Sequence, residues 1–130
     1  MALKSYRDLD IWQKAMDLVV AAYETSRAFP SEKRFGLASQ LRKAAVSIPA
    51  NIAEGYGRMY RGDYVRHLSI ARGSLAELET HLAIAVRLDY VTREGAMACW
   101  DLSQEVGKML TRLIQSLGSS ERISGSGPRS

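Results

Sequence analysis

Residues 44–57, AAVSIPANIAEGYG, decide how the rest of the chain reads. Ala38, Leu41, Ala45, Ile48 and Ile52 recur at alternating steps of three and four, which is one buried stripe on an α-helix. Pro49 falls inside that stripe. Proline offers no N–H to the carbonyl of Ala45 and its ring crowds that carbonyl, so it kinks or breaks a helix. The stripe keeps its phase across Pro49. The spacing therefore predicts one kinked helix, opened near Ser31 or Glu32 with Ser31 as cap, and loosened at its end by Gly55 and Gly57. Asn51 and Glu54 lie within one turn of Ile48 and Ile52, beside the stripe.

Three more amphipathic helices surround this one. Upstream, Asp8 or Asp10 can cap a helix running to about Phe29, where Pro30 disfavours helical geometry in the residue before it. Trp12, Met16, Val19 and Tyr23 predict its seam, with Ile11, Ala15, Leu18 and Ala22 as a second apolar row. Two adjacent rows make a face wider than a small bundle needs. Downstream, Asp63 caps a third helix with the seam Tyr64, Leu68, Ala71, Leu75, Leu78, Leu82 and Ala85. Its end, LAIAVRL over 82–88, is apolar nearly all round, as helices buried on every side are. Another subunit could cover the extra face. Thr92 caps the fourth helix, with Glu94 in its first turn and Cys99, Leu102, Val106, Met109 and Leu113 as its seam. The expected fold is all-α: an antiparallel up-down-up-down four-helix bundle over residues 1–117. Residues 118–130, rich in Ser, Gly and charge, are expected to be a disordered tail.

A chain of 130 residues is long enough to bury a real core. Its 46% hydrophobic and 25% charged residues are ordinary for a soluble protein. One cysteine, Cys99, excludes a disulfide framework and a Cys-rich metal site. The N-terminus has no apolar signal-peptide core, and no window is apolar enough to span a membrane. The expectation is a cytoplasmic protein with no membrane partner.

The net charge of +4 is unevenly spread. Residues 33–72 hold Lys33, Arg34, Arg42, Lys43, Arg58, Arg61, Arg66 and Arg72. Glu54 and Asp63 alone oppose them; eight against two gives +6, and the remainder of the chain is −2. A locally positive segment suits an anionic partner, although a solvated basic surface produces the same asymmetry. Within it, GYGRMYRG (55–62) mixes Tyr56 and Tyr60 with Arg58 and Arg61, the combination that stacks on bases and grips phosphates, although within the monomer a plain turn with snorkelling side chains is the favoured reading of the same residues. Its Gly-x-Gly follows no strand, so it is no dinucleotide fingerprint.

Catalytic signatures are absent. Asn51, Glu54, Ser74 and Glu77 flank the seams of helices 2 and 3 and could meet if these pack antiparallel. A hydrogen-bonded network that fixes helix register is the expected outcome. A di-metal bundle needs Glu-x-x-His; Glu77 is followed by Thr80 at that spacing, and His67 has no Glu three residues before it. No metal, cofactor or enzymatic activity is expected, and Cys99 reads as a core residue.

YRDLDIWQKAMDLV (6–19), QLRKAAVSIPANIAEGYGR (40–58) and YVRHLSIARGSLAELETHL (64–82) resemble the 23S rRNA intervening-sequence proteins, also called four-helix bundle proteins. The resemblance covers residues 6–117, and SIPANIAEG and GSLAELE are its most specific runs. It implies a left-handed bundle assembled as a ring-shaped homopentamer. Some members are encoded inside intervening sequences of large-subunit rRNA genes. A related branch, the accessory variability protein of diversity-generating retroelements, is similarly pentameric and basic, and works with a reverse transcriptase and nucleic acid. The resemblance thus implies partners of three kinds: further copies of the chain, RNA or DNA, and a reverse transcriptase where a retroelement is linked. The alternative is a structural or protein-interaction scaffold with no nucleic-acid role.

Overall fold

The computed structural model describes residues 4–125, with side chains throughout that span except at 33–35 and 119–125. Four helices dominate it: α1 (Asp10–Ser26), α2 (Ser39–Tyr56), α3 (Arg61–Arg87) and α4 (Arg93–Gly125). The described residues contain no strand. Helix α1 lies against α2 and α4, and α3 lies against the same two, with the α2–α3 contact the most extensive. Cross-helix pairs give the directions. Asn51 meets His67 while Ser47 meets Ser74, so α2 and α3 are antiparallel. Glu79 meets Gln104 while Arg72 meets Thr111, so α3 and α4 are antiparallel too. The molecule is a four-helix bundle.

The helix starts differ from those expected. Asp8 accepts from the backbone N–H groups of Lys4 and Ser5 (2.9 and 3.3 Å), and Ser5 Oγ accepts from Arg7 N. These bonds cap a short 3₁₀ turn, Tyr6–Asp8, and α1 itself begins without a side-chain cap. Ser31 does not cap α2. The chain winds from Ser31 through a 3₁₀ turn and a wider π-type turn (Arg34–Ala38) directly into α2, so no fresh N-terminus is exposed there. Asp63 sits in the first turn of α3, which starts earlier, at Arg61. Thr92 does cap α4, its Oγ1 accepting from Gly95 N at 2.9 Å. Pro49 is accommodated inside a single helix and is buried.

The stripe on α2 is fully buried from Ala38 to Ile52, and the α3 stripe from Leu68 to Ala85. On α1 the rows exchange roles. Ile11, Ala15, Leu18 and Ala22 face the core, whereas Met16 and Tyr23 are exposed and Trp12 and Val19 half-buried. The physical reason is size: the alanines let neighbouring helices approach closely, and the bulkier row has no room between them. On α4 the buried row is Ala96, Cys99, Ser103, Val106 and Leu110, with Leu102, Met109 and Leu113 at its margin. Ser103 is accepted in that row because its hydroxyl donates to the Trp100 carbonyl at 2.7 Å. Burial pushes the Cys99 thiol up to about 11, far from the thiolate range needed for reactivity.

Helix α1 stops at Ser26, short of Phe29, and the fully buried Phe29 packs its ring on Tyr90 at 5.8 Å. Helix α3 ends opposite it in a Schellman turn. Tyr90 N donates to Ala85 O and Asp89 N to Val86 O, with Asp89 in the left-handed region at φ 61°. At its other end α4 runs through Gly118, where the spacing ends the bundle, to Gly125. A helical glycine costs only about 1 kcal/mol against alanine, and the residues that follow do not break a helix. The rest of the expected tail, 126–130, lies outside the described residues.

Candidate nucleic-acid interface

The tight α2–α3 contact positions everything at this end of the bundle. Its polar spine begins at Ser74, whose Oγ lies 2.8 Å from Ser47 Oγ. Asn51 Nδ2 donates to the Ser47 carbonyl (2.9 Å) and Oγ (3.1 Å), which turns Oδ1 toward His67 Nδ1 at 3.1 Å. Oδ1 therefore accepts from Nδ1–H, leaving His67 Nε2 buried without a hydrogen-bond partner. The nearest carboxylate oxygen is Glu54 Oε2, at 3.9 Å. Of the four residues the spacing grouped, Asn51, Glu54 and Ser74 are joined through Ser47 and His67. Glu77 is exposed on α3 and takes no part. Sequence reasoning missed Ser47 and His67; the seven-residue step from His67 to Ser74 on α3 was the available signal.

Glu54 links this spine to the surface. Arg58 Nη2 donates to its Oε2 at 2.7 Å. That hydrogen bond, then the charges of His67 and Arg66, hold the Glu54 carboxyl below the usual carboxylate range. A lowered folded value means a stabilising contribution present above the unfolded carboxylate's value and lost as pH falls through the folded one. Because Glu54 is solvent-exposed, that contribution is small.

Beyond Glu54 the chain turns, and Arg58, Met59, Tyr60 and Arg61 are all exposed, Met59 by 86% and Tyr60 by 68%. Arg66, one turn into α3, is exposed beside them. Tyr56 is drawn inward instead, its ring edge-on to Tyr64 at 5.9 Å. The aromatic open to solvent at this tip is therefore Tyr60.

The eight basic residues do not form one patch. Arg58, Arg61 and Arg66 share the tip. Arg42 is half-buried and structural: its Nε donates to Ser26 Oγ at 2.7 Å and its guanidinium lies over the Tyr23 ring at 4.8 Å. Lys43 is exposed on α2. Arg72 stands on the α3–α4 side, its Nη1 3.5 Å from Thr111 Oγ1. The side chains of Lys33 and Arg34 lie outside the described residues. Among the described residues no group of three or more His, Cys, Asp or Glu side chains could hold a metal ion. Nor is any described helix long and apolar enough to cross a membrane.

The sequence model of the 23S rRNA-intervening sequence proteins matches residues 7–112. The chain belongs to this family. The match takes in α1 to α3 whole and most of α4, so the polar spine, the tip and the buried stripes all lie inside it. Among solved structures, the chain is similar to a protein of unknown function from the S23 ribosomal protein family of Bacteroides thetaiotaomicron. The two share 27% identity over 81% of this chain and 98% of that one, with a TM-score of 0.75. No curated protein matches the chain.

Proposed function

We propose that this family member is a non-enzymatic homo-oligomer that binds RNA or DNA through phosphate contacts at the α2–α3 tip. The observation that carries the reading is the exposed Tyr60 set among Arg58, Arg61 and Arg66. Guanidinium groups grip phosphates, a free ring stacks on any base, and neither reads sequence. A ring of subunits repeats the tip, so modest contacts add by multivalency.

Two different apolar surfaces support the oligomer. One is the outer row of α1, with Met16, Val20 and Tyr23 exposed. The other is a cleft between α3 and α4 whose apolar part includes Leu82, Val86, Met97 and Trp100, with Arg87, Arg93 and Asp101 also in its lining. Two unlike faces on one chain favour head-to-tail contacts, which form a ring when the rotation between subunits closes and a filament when it does not; the closed ring and the number five come from the family resemblance. Light scattering on the eluting protein is expected to give a multiple of the 14.4 kDa chain mass. A monomer mass at micromolar concentration refutes the assembly.

Titration with single-stranded and duplex RNA over a range of salt tests the binding. Affinity is expected to fall steeply with salt and to ignore sequence. Replacing Arg58 and Arg61 by alanine is expected to weaken all sequences alike and to flatten the salt slope by about one unit for each phosphate no longer held. Absence of binding at low salt turns the reading to the scaffold alternative, for which the apolar faces alone would serve.

A further inference from the structure

On the α3–α4 side, away from the tip, a shallow groove carries Arg72 on one wall and Lys108, Thr111 and Arg112 on the other. The floor is Leu75, with Ala76 and Gly107 at its sides. A Cβ at Gly107 would stand 3.1 Å from Leu75 Cδ2, so glycine lets the two helices come this close. Several cations elsewhere on the molecule are engaged: Arg58 by Glu54, Lys14 by Glu105 (3.4 Å) and Arg42 by Ser26 and Tyr23. Lys43, Arg66, Arg87 and Arg93, like the cations of the groove, have no ion-pair partner among the described residues. What sets the groove apart is that its cations line one furrow. Arg72 reaches only the Thr111 hydroxyl, at the long limit of a hydrogen bond, and Lys108 and Arg112 have no ion-pair partner among the described residues. The groove's one carboxylate, Glu79, stands at its far end and is occupied by Gln104 Nε2 at 2.9 Å.

We infer that this groove is a second contact site for the phosphodiester backbone of a nucleic acid, lying along α3 and α4. The inference rests on the proposed nucleic-acid function and extends its footprint from the tip to the side of the bundle. Three cations with a hydroxyl among them match phosphate oxygens: a guanidinium donates in pairs, an ammonium acts as a point charge, and Thr111 adds an O–H. Lys108 and Arg112, four residues apart on α4, repeat along the groove instead of closing around one point. That arrangement fits a run of phosphates better than a single small anion. No aromatic side chain lines the groove, so bases have nothing to stack on and would face outward.

The test is RNA titration of the full chain and of K108Q/R112Q, at several salt concentrations, with a mixed-sequence single strand as probe. We expect the double variant to bind about tenfold or more weakly at moderate salt, with the salt slope reduced by about two units, one for each cation removed. The charge-conserving K108R/R112K is expected to restore the slope. Inorganic phosphate added at constant ionic strength is expected not to displace the RNA. Unchanged slope and affinity in K108Q/R112Q, while replacement of Arg58 and Arg61 weakens binding, overturns the groove and spares the tip. Loss of binding in K108R/R112K overturns it too, since charge is then not what matters. Displacement by inorganic phosphate would make the groove a small-anion site instead. A wild-type chain that binds no RNA at low salt removes both readings together.

Discussion

Gly55→Ala is expected to destabilise the protein by about 1–3 kcal/mol, the usual cost of forcing extra volume into a packed contact. Two effects oppose each other here. Alanine is favoured over glycine in a helix interior by up to ~1 kcal/mol, which argues for a gain. The added Cβ, however, would lie 2.7 Å from His67 Cβ, 3.1 Å from Tyr64 Cδ1 and 3.3 Å from the Tyr64 carbonyl oxygen. His67 Cβ is fixed to the α3 backbone and cannot swing away, so α2 and α3 must part. Separation would also pull His67 from Asn51, and the buried imidazole N–H would be left without its acceptor. The steric term therefore wins. Gly57→Ala is the control: its Cβ would meet carbonyl oxygens of Ala53 and Glu54 at 3.6 Å, an ordinary contact. Urea unfolding of both variants decides the matter. Equal midpoints for the two would mean that the helices do not touch at Gly55.

Phe29→Ala is expected to cost more, about 3–5 kcal/mol, the range for removing a buried aromatic ring. Phe29 is 2% exposed. It joins the end of α1 to the Schellman turn of α3 through Tyr90. Truncation leaves a void lined by side chains held on two helix ends, where the backbone cannot collapse to fill it. Folded domains are stable by about 5–15 kcal/mol in all, so this single change removes a large share. The melting temperature should fall by roughly 10–20 °C, while Phe29→Leu, which keeps most of the volume, should fall much less. A destabilisation below about 1 kcal/mol for the alanine variant would show that the ring does not hold this corner together.

The stripes of α2 and α3 were legible because each presents one apolar row at heptad spacing, and such a row has only one place to go. On that ground the sequence alone determined four helices, the continuity of α2 through Pro49, the cap at Thr92 and the burial of Cys99. On α1 it placed Trp12, Met16, Val19 and Tyr23 in the seam, whereas the core takes the Ile11 row; both rows satisfy the helical period equally well. That choice depends on how closely α2 and α4 approach, and closeness favours Ala15 and Ala22 over Met16 and Tyr23. Gly55 reads in one dimension as a helix-loosening residue; only α3 passing against it makes it a contact where a methyl group does not fit. The basic segment likewise looks continuous along the chain. Arg66 and Arg72 are six residues apart on one helix, which turns their side chains about 120° from each other. One therefore falls at the tip and the other in the α3–α4 groove. Lys108, Thr111 and Arg112 join Arg72 there because α4 returns antiparallel to α3, a pairing that linear spacing does not record.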